Sequence, residues 1–165
     1  MKKRIIYVSI LLLALLLESC GRYGFDPPRE EEIESFVTEH FDEISIINNY
    51  LLELGNIDVS ISNGKGSVYI GREEKKIEDT TTKDIVRWLW RNGCKKIYKD
   101  CKNNAVVYKM WKRTYDEADC GFVYAIDSGK LPEAEFQTEL IPLSEEGWYY
   151  YLAEYNEWRI GKRAS

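Results

Sequence analysis

Residues 105–126 read AVVYKMWKRTYDEADCGFVYAI, and this stretch predicts two neighbouring strands of a sheet. Apolar, aromatic and β-branched residues dominate 105–115 and 120–126, whereas an acidic segment at 116–119 interrupts them. A connection this short joins antiparallel strands, because a parallel pair would need a crossover of a dozen or more residues. The second half of the chain is therefore expected to form an antiparallel sheet.

The same pattern continues on both sides of that stretch. In the first half, Ile57, Val59 and Ile61 alternate with polar residues, and turn-forming residues at 63–66 precede a second alternating run, which predicts a β-hairpin. Further short strands are predicted at 97–98, 136–143 and 148–153. Since strands and helices do not alternate as β-α-β, the sheet should consist of an early hairpin and a C-terminal meander.

Two helices are predicted to pack on one face of this sheet. Apolar residues recur at spacings of three and four between Ile33 and Leu54, which predicts one amphipathic helix over about 28–54. Thr81 and Asp84 form a capping-box-like start to a second helix over about 82–92, and Asn92-Gly93 ends it. The predicted fold class is therefore α+β.

The amino terminus has the layout of an export signal. Basic residues at 2–4 precede an apolar run at 5–17, which is shorter than the roughly 20 residues needed to span a membrane. The next residues, Leu17-Glu18-Ser19-Cys20, resemble the lipobox of bacterial lipoproteins, although Glu18 stands where that pattern usually has a small or apolar residue. The resemblance implies that Cys20 is lipidated and anchors the mature protein to the extracytoplasmic face of the cell membrane. Each buried methylene of the acyl chains would contribute about 0.8 kcal/mol.

This signal divides the chain. The predicted parts are a signal peptide at 1–19, the lipidated cysteine and a spacer at 20–27, a single α+β domain at 28–160 and a frayed tail at 161–165. Removing 1–19 leaves 20 basic and 27 acidic residues, a formal net charge of −7. No nucleic-acid partner is expected for so acidic a domain. The element order also looks like that of small, uncharacterised bacterial lipoproteins, a likeness that carries no known site.

Three cysteines follow Cys20, an odd number for an oxidising compartment. At most one disulfide can form among Cys94, Cys101 and Cys120. The preferred pair is Cys94 with Cys101, and the alternative is three reduced thiols packed as small apolar residues. Because their spacing lacks a paired Cys-x-x-Cys element, no metal site is predicted.

Candidate catalytic residues are few. His40 is the single histidine and lies on the apolar stripe of the first predicted helix, where a packed side chain is the simplest interpretation. Ser-His-Asp or Cys-His catalysis would have to use this residue. A pair of carboxylates for glycoside hydrolysis is a spatial arrangement that sequence alone does not reveal. No catalytic residue and no cofactor is predicted, and a carboxylate-dependent cell-envelope hydrolase is an alternative.

The strand at 148–153 carries the most distinctive pattern. Its sequence begins WYYY, so that aromatic rings alternate between both faces of the sheet. Exposed rings on a sheet stack on sugars or anchor proteins, which makes Trp148, Tyr149, Tyr151 and Tyr155 the predicted ligand face. The alternative is that helices cover both faces. The predicted function is a membrane-tethered, non-enzymatic binding domain with a protein or glycan partner, or alternatively an immunity or inhibitor protein.

Overall fold

The computed structural model of the chain describes residues 27–61, 66–113 and 118–164. The helices are α1 (Glu30–Glu39), α2 (Phe41–Glu53), α3 (Thr80–Arg91) and α4 (Tyr155–Ala164). The strands are β1 (Val59–Ile61), β2 (Ser67–Ile70), β3 (Glu73–Lys76), β4 (Lys96–Asp100), β5 (Ala105–Arg113), β6 (Ala118–Ala125), β7 (Gln137–Pro142) and β8 (Trp148–Glu154). None of the helices described is long and apolar enough to cross a membrane. The proposed signal and Cys20 lie outside these residues.

The eight strands form one antiparallel sheet in the order β3-β2-β1-β4-β5-β6-β8-β7. The predicted α+β class and the early hairpin are confirmed, and β1 joins that hairpin to β4. The C-terminal strands are not a simple meander, because β8 lies between β6 and β7. Residues 126–136 carry the chain from the end of β6 to the edge of the sheet, where β7 lies. The β7–β8 hairpin then brings β8 back between β7 and β6, so that β8 pairs with both.

Strand β3 was missed by the sequence analysis. It consists of Glu73-Glu74-Lys75-Lys76 and follows β2 through a tight turn in which Gly71 adopts a φ of 61°. All four side chains are exposed, so no apolar alternation marks the strand. Strand β3 lies at the edge of the sheet. Charged side chains on an edge strand oppose pairing with strands of other molecules, so this sequence protects the edge from aggregation.

The structure contains four helices among its described residues, not the two predicted. The single helix expected over 28–54 is divided at His40, whose φ of −125° and ψ of 26° leave the helical region. His40 still donates its N–H to Phe36 O and its carbonyl still accepts from Ile44 N. Because these bonds and the apolar spacing continue through the break, the sequence pattern could not locate it.

The start of α3 and the C-terminal segment also differ from expectation, whereas the end of α3 agrees with it. Asp79, not Thr81, caps α3, since its carboxylate accepts the Thr82 N–H at 2.6 Å. Asn92 ends α3 as predicted. Helix α4 runs to Ala164, through most of the segment expected to be a frayed tail. That tail had no apolar stripe of its own long enough to predict a helix.

Helices α1 to α3 pack on one face of the sheet, the helix face, where the larger apolar core lies. The opposite face, called the second face, has a smaller core of Ala105, Val107, Val123, Ala134, Tyr151 and Ala153. Residues 131–136 and α4 cover it, and the ring of Phe136 contacts those of Tyr155 and Trp158 at 4.8 and 5.3 Å between centroids. The helices at the predicted places, α1 to α3, therefore share one face, whereas α4, which was not predicted, packs on the other.

Candidate binding groove on the second face of the sheet

The second face is open over β2, β1 and β4. Val59, Ile61, Val68 and Ile70 pack into the helix-face core, so their strand neighbours point to the second face. The register aligns Tyr69 with Ser60 and Ser60 with Tyr98, which forms a polar and aromatic row across three strands. A cavity of about 280 Å³ lies on this row. Its lining residues are Asp58, Val59, Ser60, Tyr69, Gly71, Lys96, Tyr98, Lys99 and Asp100.

A second cavity, of about 420 Å³, lies between β4 and the segment 133–136. Its lining residues are Tyr98, Asp100, Asn103, Glu133, Ala134, Glu135, Phe136 and Trp158. Tyr98 and Asp100 line both cavities. The two cavities are therefore neighbours, and we call the pair the Tyr98 groove because Tyr98 lies between them.

Asn104 positions the wall of this groove. It adopts a left-handed φ of 55°, a conformation that asparagine tolerates better than most residues. Its Nδ2 donates to the carbonyls of Asp127 and Lys130 at 2.9 and 2.7 Å, and its Oδ1 accepts the Asp127 N–H at 2.6 Å. Glu133 N also donates to Asn103 O at 2.9 Å. These bonds attach the β6–β7 connection to the β4–β5 turn. The sequence indicated this turn only as a break between two strands.

Tyr98 is the central side chain of the groove. The ammonium groups of Lys96 and Lys109 lie 5.0 and 5.7 Å from its ring centroid. Its hydroxyl oxygen is fully buried and lies beside the backbone of Glu135, with a hydrogen bond that falls short of standard geometry. Burial, followed by the nearby Asp119 carboxylate, raises the pKa of Tyr98 well above its ordinary value. The side chain is therefore a neutral phenol whose oxygen faces the Glu135 backbone.

No known protein family, curated protein or solved structure matches the chain. The chemistry of the groove must therefore be read from its own residues. Three carboxylates and three aromatic rings line the second cavity, whereas the first cavity mixes lysines with aspartates. Such a combination of rings and a few polar groups in a concave site is typical of ligand binding.

A buried polar cluster lies beside the groove on β5, β6 and β8. Lys109 Nζ and Asp119 Oδ2 form an ion pair at 2.5 Å, with only 13% and 8% of their side chains exposed. Asp119 Oδ1 and the Tyr151 hydroxyl are both buried, and the hydroxyl faces the Asp119 carboxylate at a geometry short of a standard hydrogen bond. Burial and the Asp119 charge raise the pKa of Tyr151 well above its ordinary value. The sequence placed Lys109 and Asp119 in or beside strands but gave no sign that they pair.

The four residues of the predicted ligand face do not share one surface. Trp148 lies on the helix face and is buried among the rings of Tyr108, Phe122 and Tyr124. Tyr149 and the fully buried Tyr151 belong to the second face, as the predicted alternation requires. Tyr155 packs against Phe136 from α4. Residues 131–136 and α4 of the same chain cover this part of the second face, so its rings do not need a binding partner to be buried.

The described cysteines are all free thiols. Burial raises the pKa of both Cys94 and Cys120 to about 12, which makes them poor nucleophiles. The preferred disulfide between Cys94 and Cys101 does not form, because β4 separates the two residues. That strand alone extends about 13 Å, whereas the Cα atoms of a disulfide lie within about 7 Å.

His40 and the acidic segment between β5 and β6 are the remaining candidates, and His40 is part of the packing between helices. The ring of His40 packs edge-on against Trp88 and Phe36, at 4.5 and 5.0 Å between centroids. In the acidic segment at 116–119, residues 116 and 117 lie outside the described part of the chain, and Asp119 belongs to β6. Within the described residues, no group of three or more histidine, cysteine, aspartate or glutamate side chains could hold a metal ion.

Proposed function

We propose that this chain is an extracytoplasmic lipoprotein, tethered through Cys20, whose domain is a non-enzymatic binding module. The observation that supports this proposal most is the Tyr98 groove, a concave and partly aromatic site on the second face that extends from β2 to the edge of α4. Tyrosine and tryptophan dominate the energetics of many protein and sugar interfaces. The proposed ligand site is therefore this groove and not the buried strand that begins at Trp148.

The proposed tether would keep the groove near the membrane. A fully extended segment of eight residues, 20–27, spans at most about 28 Å. A ligand of this domain would therefore be a component of the cell envelope or a molecule that reaches it. The formal charge of −7 opposes direct adsorption to anionic lipid, so the acyl chains would supply the attachment.

Binding is favoured over hydrolysis by the state of the carboxylates in the groove. Both oxygens of Asp100 accept hydrogen bonds from Asn103, at 3.1 and 2.7 Å, and so serve the turn. Glu133 and Glu135 are exposed. A general acid of a glycosidase is instead kept protonated by apolar surroundings. The hydrolase alternative therefore has less support from the geometry than a binding role.

Capture from envelope extracts tests the binding role. The soluble domain, residues 21–165, should retain a specific glycan or protein, and Tyr69→Ala should reduce the retained amount at least about tenfold because stacking on a ring is lost. Tyr50→Ala is the matched control, since Tyr50 is also half-buried but packs on the helix face. Mass spectrometry of the retained material distinguishes a glycan from a protein partner of the immunity or inhibitor type. Equal retention by the wild type and both variants would contradict the proposal.

A further inference from the structure

We propose that strand β7 is a dimerisation edge, which pairs in the antiparallel direction with β7 of a second copy of this chain. The inference goes beyond the proposed function, because it needs neither the tether at Cys20 nor a ligand in the Tyr98 groove. It depends on three features of β7: the direction of its backbone groups, a self-complementary register and a cavity beside the strand.

The two edges of the sheet differ in character. Strand β3 forms one edge and exposes four charged side chains in a row. Strand β7, with the sequence QTELIP, forms the other edge and has a single charged residue, Glu139. Among the described residues, no strand pairs with the outer side of β7. Because an edge with little charge is a template for another strand, β7 is the edge that is open to pairing.

The backbone groups of β7 alternate between β8 and the outside of the sheet. Leu143 N–H donates to Trp148 O at 2.9 Å, and Ile141, two residues earlier, faces β8 in the same way. The backbone groups of Leu140 and Pro142 therefore point away from β8. Proline fits such an outward position, because it has no N–H to donate. Leu140 thus offers both a donor and an acceptor at the open edge, whereas Pro142 offers only an acceptor.

These groups favour a symmetric pair centred on Leu140. Around a twofold axis, Leu140 can exchange both hydrogen bonds with Leu140 of the second copy. A register that sets Leu140 opposite Pro142 loses one bond of each exchange. The register centred on Leu140 also places Glu139 opposite Ile141 of the second copy, so the two glutamates are offset and do not face each other. The half-buried side chains of Leu140 and Ile141 would lose further contact with water in this pair.

A cavity of about 470 Å³ lies beside this edge, and its lining includes Thr138 of β7 with Trp158 and Gly161 of α4. Leu140 packs on the second-face core, so Pro142, two residues later, lies on the same face. The register centred on Leu140 places Pro142 of the second copy opposite Thr138, at the mouth of the cavity. Pro142 is exposed in the single chain, and its ring can pack there on the indole of Trp158. By symmetry, each copy fills the cavity of the other.

The pairing closes at two copies. A twofold pair uses the β7 edges of both chains and joins two eight-stranded sheets into one. The edges that remain are the two copies of β3, whose charged side chains oppose further pairing. The arrangement therefore predicts a dimer and not a fibre.

Analytical ultracentrifugation of residues 21–165, which include every described residue, tests the pair. We expect a monomer–dimer equilibrium with a dissociation constant below about 100 µM, as suits a small interface. Leu140→Pro removes an N–H that β8 does not use, so the affinity of the dimer should fall at least about tenfold while the fold keeps its own bonds.

Lys76→Pro is the matched control on the other edge. Ile77 N–H donates to Gly66 O at 2.9 Å, so the N–H of the neighbouring Lys76 points away from β2. This variant also removes one outward N–H from an edge strand, but it should change the affinity of the dimer less than about twofold.

Thiol cross-linking tests the register even if Leu140→Pro does not fold. Leu140→Cys should form a disulfide between two copies under mild oxidation, because directly paired Cα atoms lie about 5.5 Å apart, within disulfide range. Glu139→Cys, whose two copies are offset, should cross-link at least about tenfold more slowly. The unsubstituted chain measures the background from its own thiols.

Two results would overturn the dimer edge: a domain that stays monomeric at about 1 mM, or equal cross-linking of the Leu140→Cys and Glu139→Cys variants. If the domain is monomeric and Leu140→Pro instead abolishes capture of a different protein from envelope extracts, the edge receives a foreign strand and the second-copy inference is wrong. Failure of the dimer leaves the Tyr98 groove unaffected, because Tyr69→Ala tests the groove separately.

Discussion

Replacement of Gly121 by alanine should destabilise the domain by about 3–5 kcal/mol or prevent folding. A Cβ atom at Gly121 would lie 1.9 Å from Tyr108 O and 3.0 Å from Met110 N. Both are backbone atoms of β5 at the irregularity between Lys109 and Trp111, so they cannot move aside as a flexible side chain could. Urea unfolding followed by tryptophan fluorescence measures the loss.

Gly161→Ala is the matched control for Gly121→Ala. Gly161 lies in α4, and a Cβ there would have no neighbouring atom within 4 Å. Alanine should therefore stabilise the helix by about 0.5–1 kcal/mol or leave the stability unchanged. If Gly121→Ala does not fold, soluble yield relative to Gly161→Ala provides the comparison. A loss below about 1 kcal/mol at Gly121 would mean that β5 and β6 do not approach so closely at the bulge.

Lys109→Met should cost about 3–5 kcal/mol of unfolding free energy, because it leaves the buried Asp119 carboxylate without its partner. The double variant Lys109→Met/Asp119→Leu removes both charges and should recover most of that loss. Chemical denaturation of the two single variants and the double variant gives the coupling between the side chains.

The exposed pair of Arg87 and Asp84 is the control for that experiment. Its atoms are 3.1 Å apart, with 44% and 63% of the side chains exposed, so Arg87→Met should cost less than about 1 kcal/mol. The contrast follows from desolvation, which makes an unpaired charge expensive only where water is excluded. A Lys109→Met variant no less stable than Arg87→Met would contradict the buried position of the polar cluster.

The sequence predicted the sheet best where apolar and polar residues alternate. The pattern from Trp148 to Ala153 correctly assigned alternate side chains to the two faces, since a strand has a period of two. Strand β3 was missed because its four charged residues carry no such period. The place of β8 between β6 and β7 could not be derived from local pattern, because strand order depends on the path of the long connection at 126–136.

The groove was harder to predict than the fold. Tyr69, Tyr98 and Trp158 are far apart in sequence and meet only through strand pairing and the position of α4. The aromatic run beginning at Trp148 gave the strongest local signal, yet residues 131–136 and α4 cover its second face and the other helices cover its first. The unusual backbone of Asn104 and Phe136 depends on tertiary hydrogen bonds, so no local pattern marked the segment that forms the groove wall.

Export and lipidation at Cys20 are the condition on which the proposed role of the groove at the cell envelope depends. The full chain should be expressed in bacteria with labelled palmitate, with and without globomycin, an inhibitor of lipoprotein signal peptidase. We expect a labelled mature protein, accumulation of a larger labelled precursor under globomycin, and loss of the label in Cys20→Ser. A protein whose size is unchanged by globomycin, or whose label persists in Cys20→Ser, would contradict the tethered binding domain proposed here.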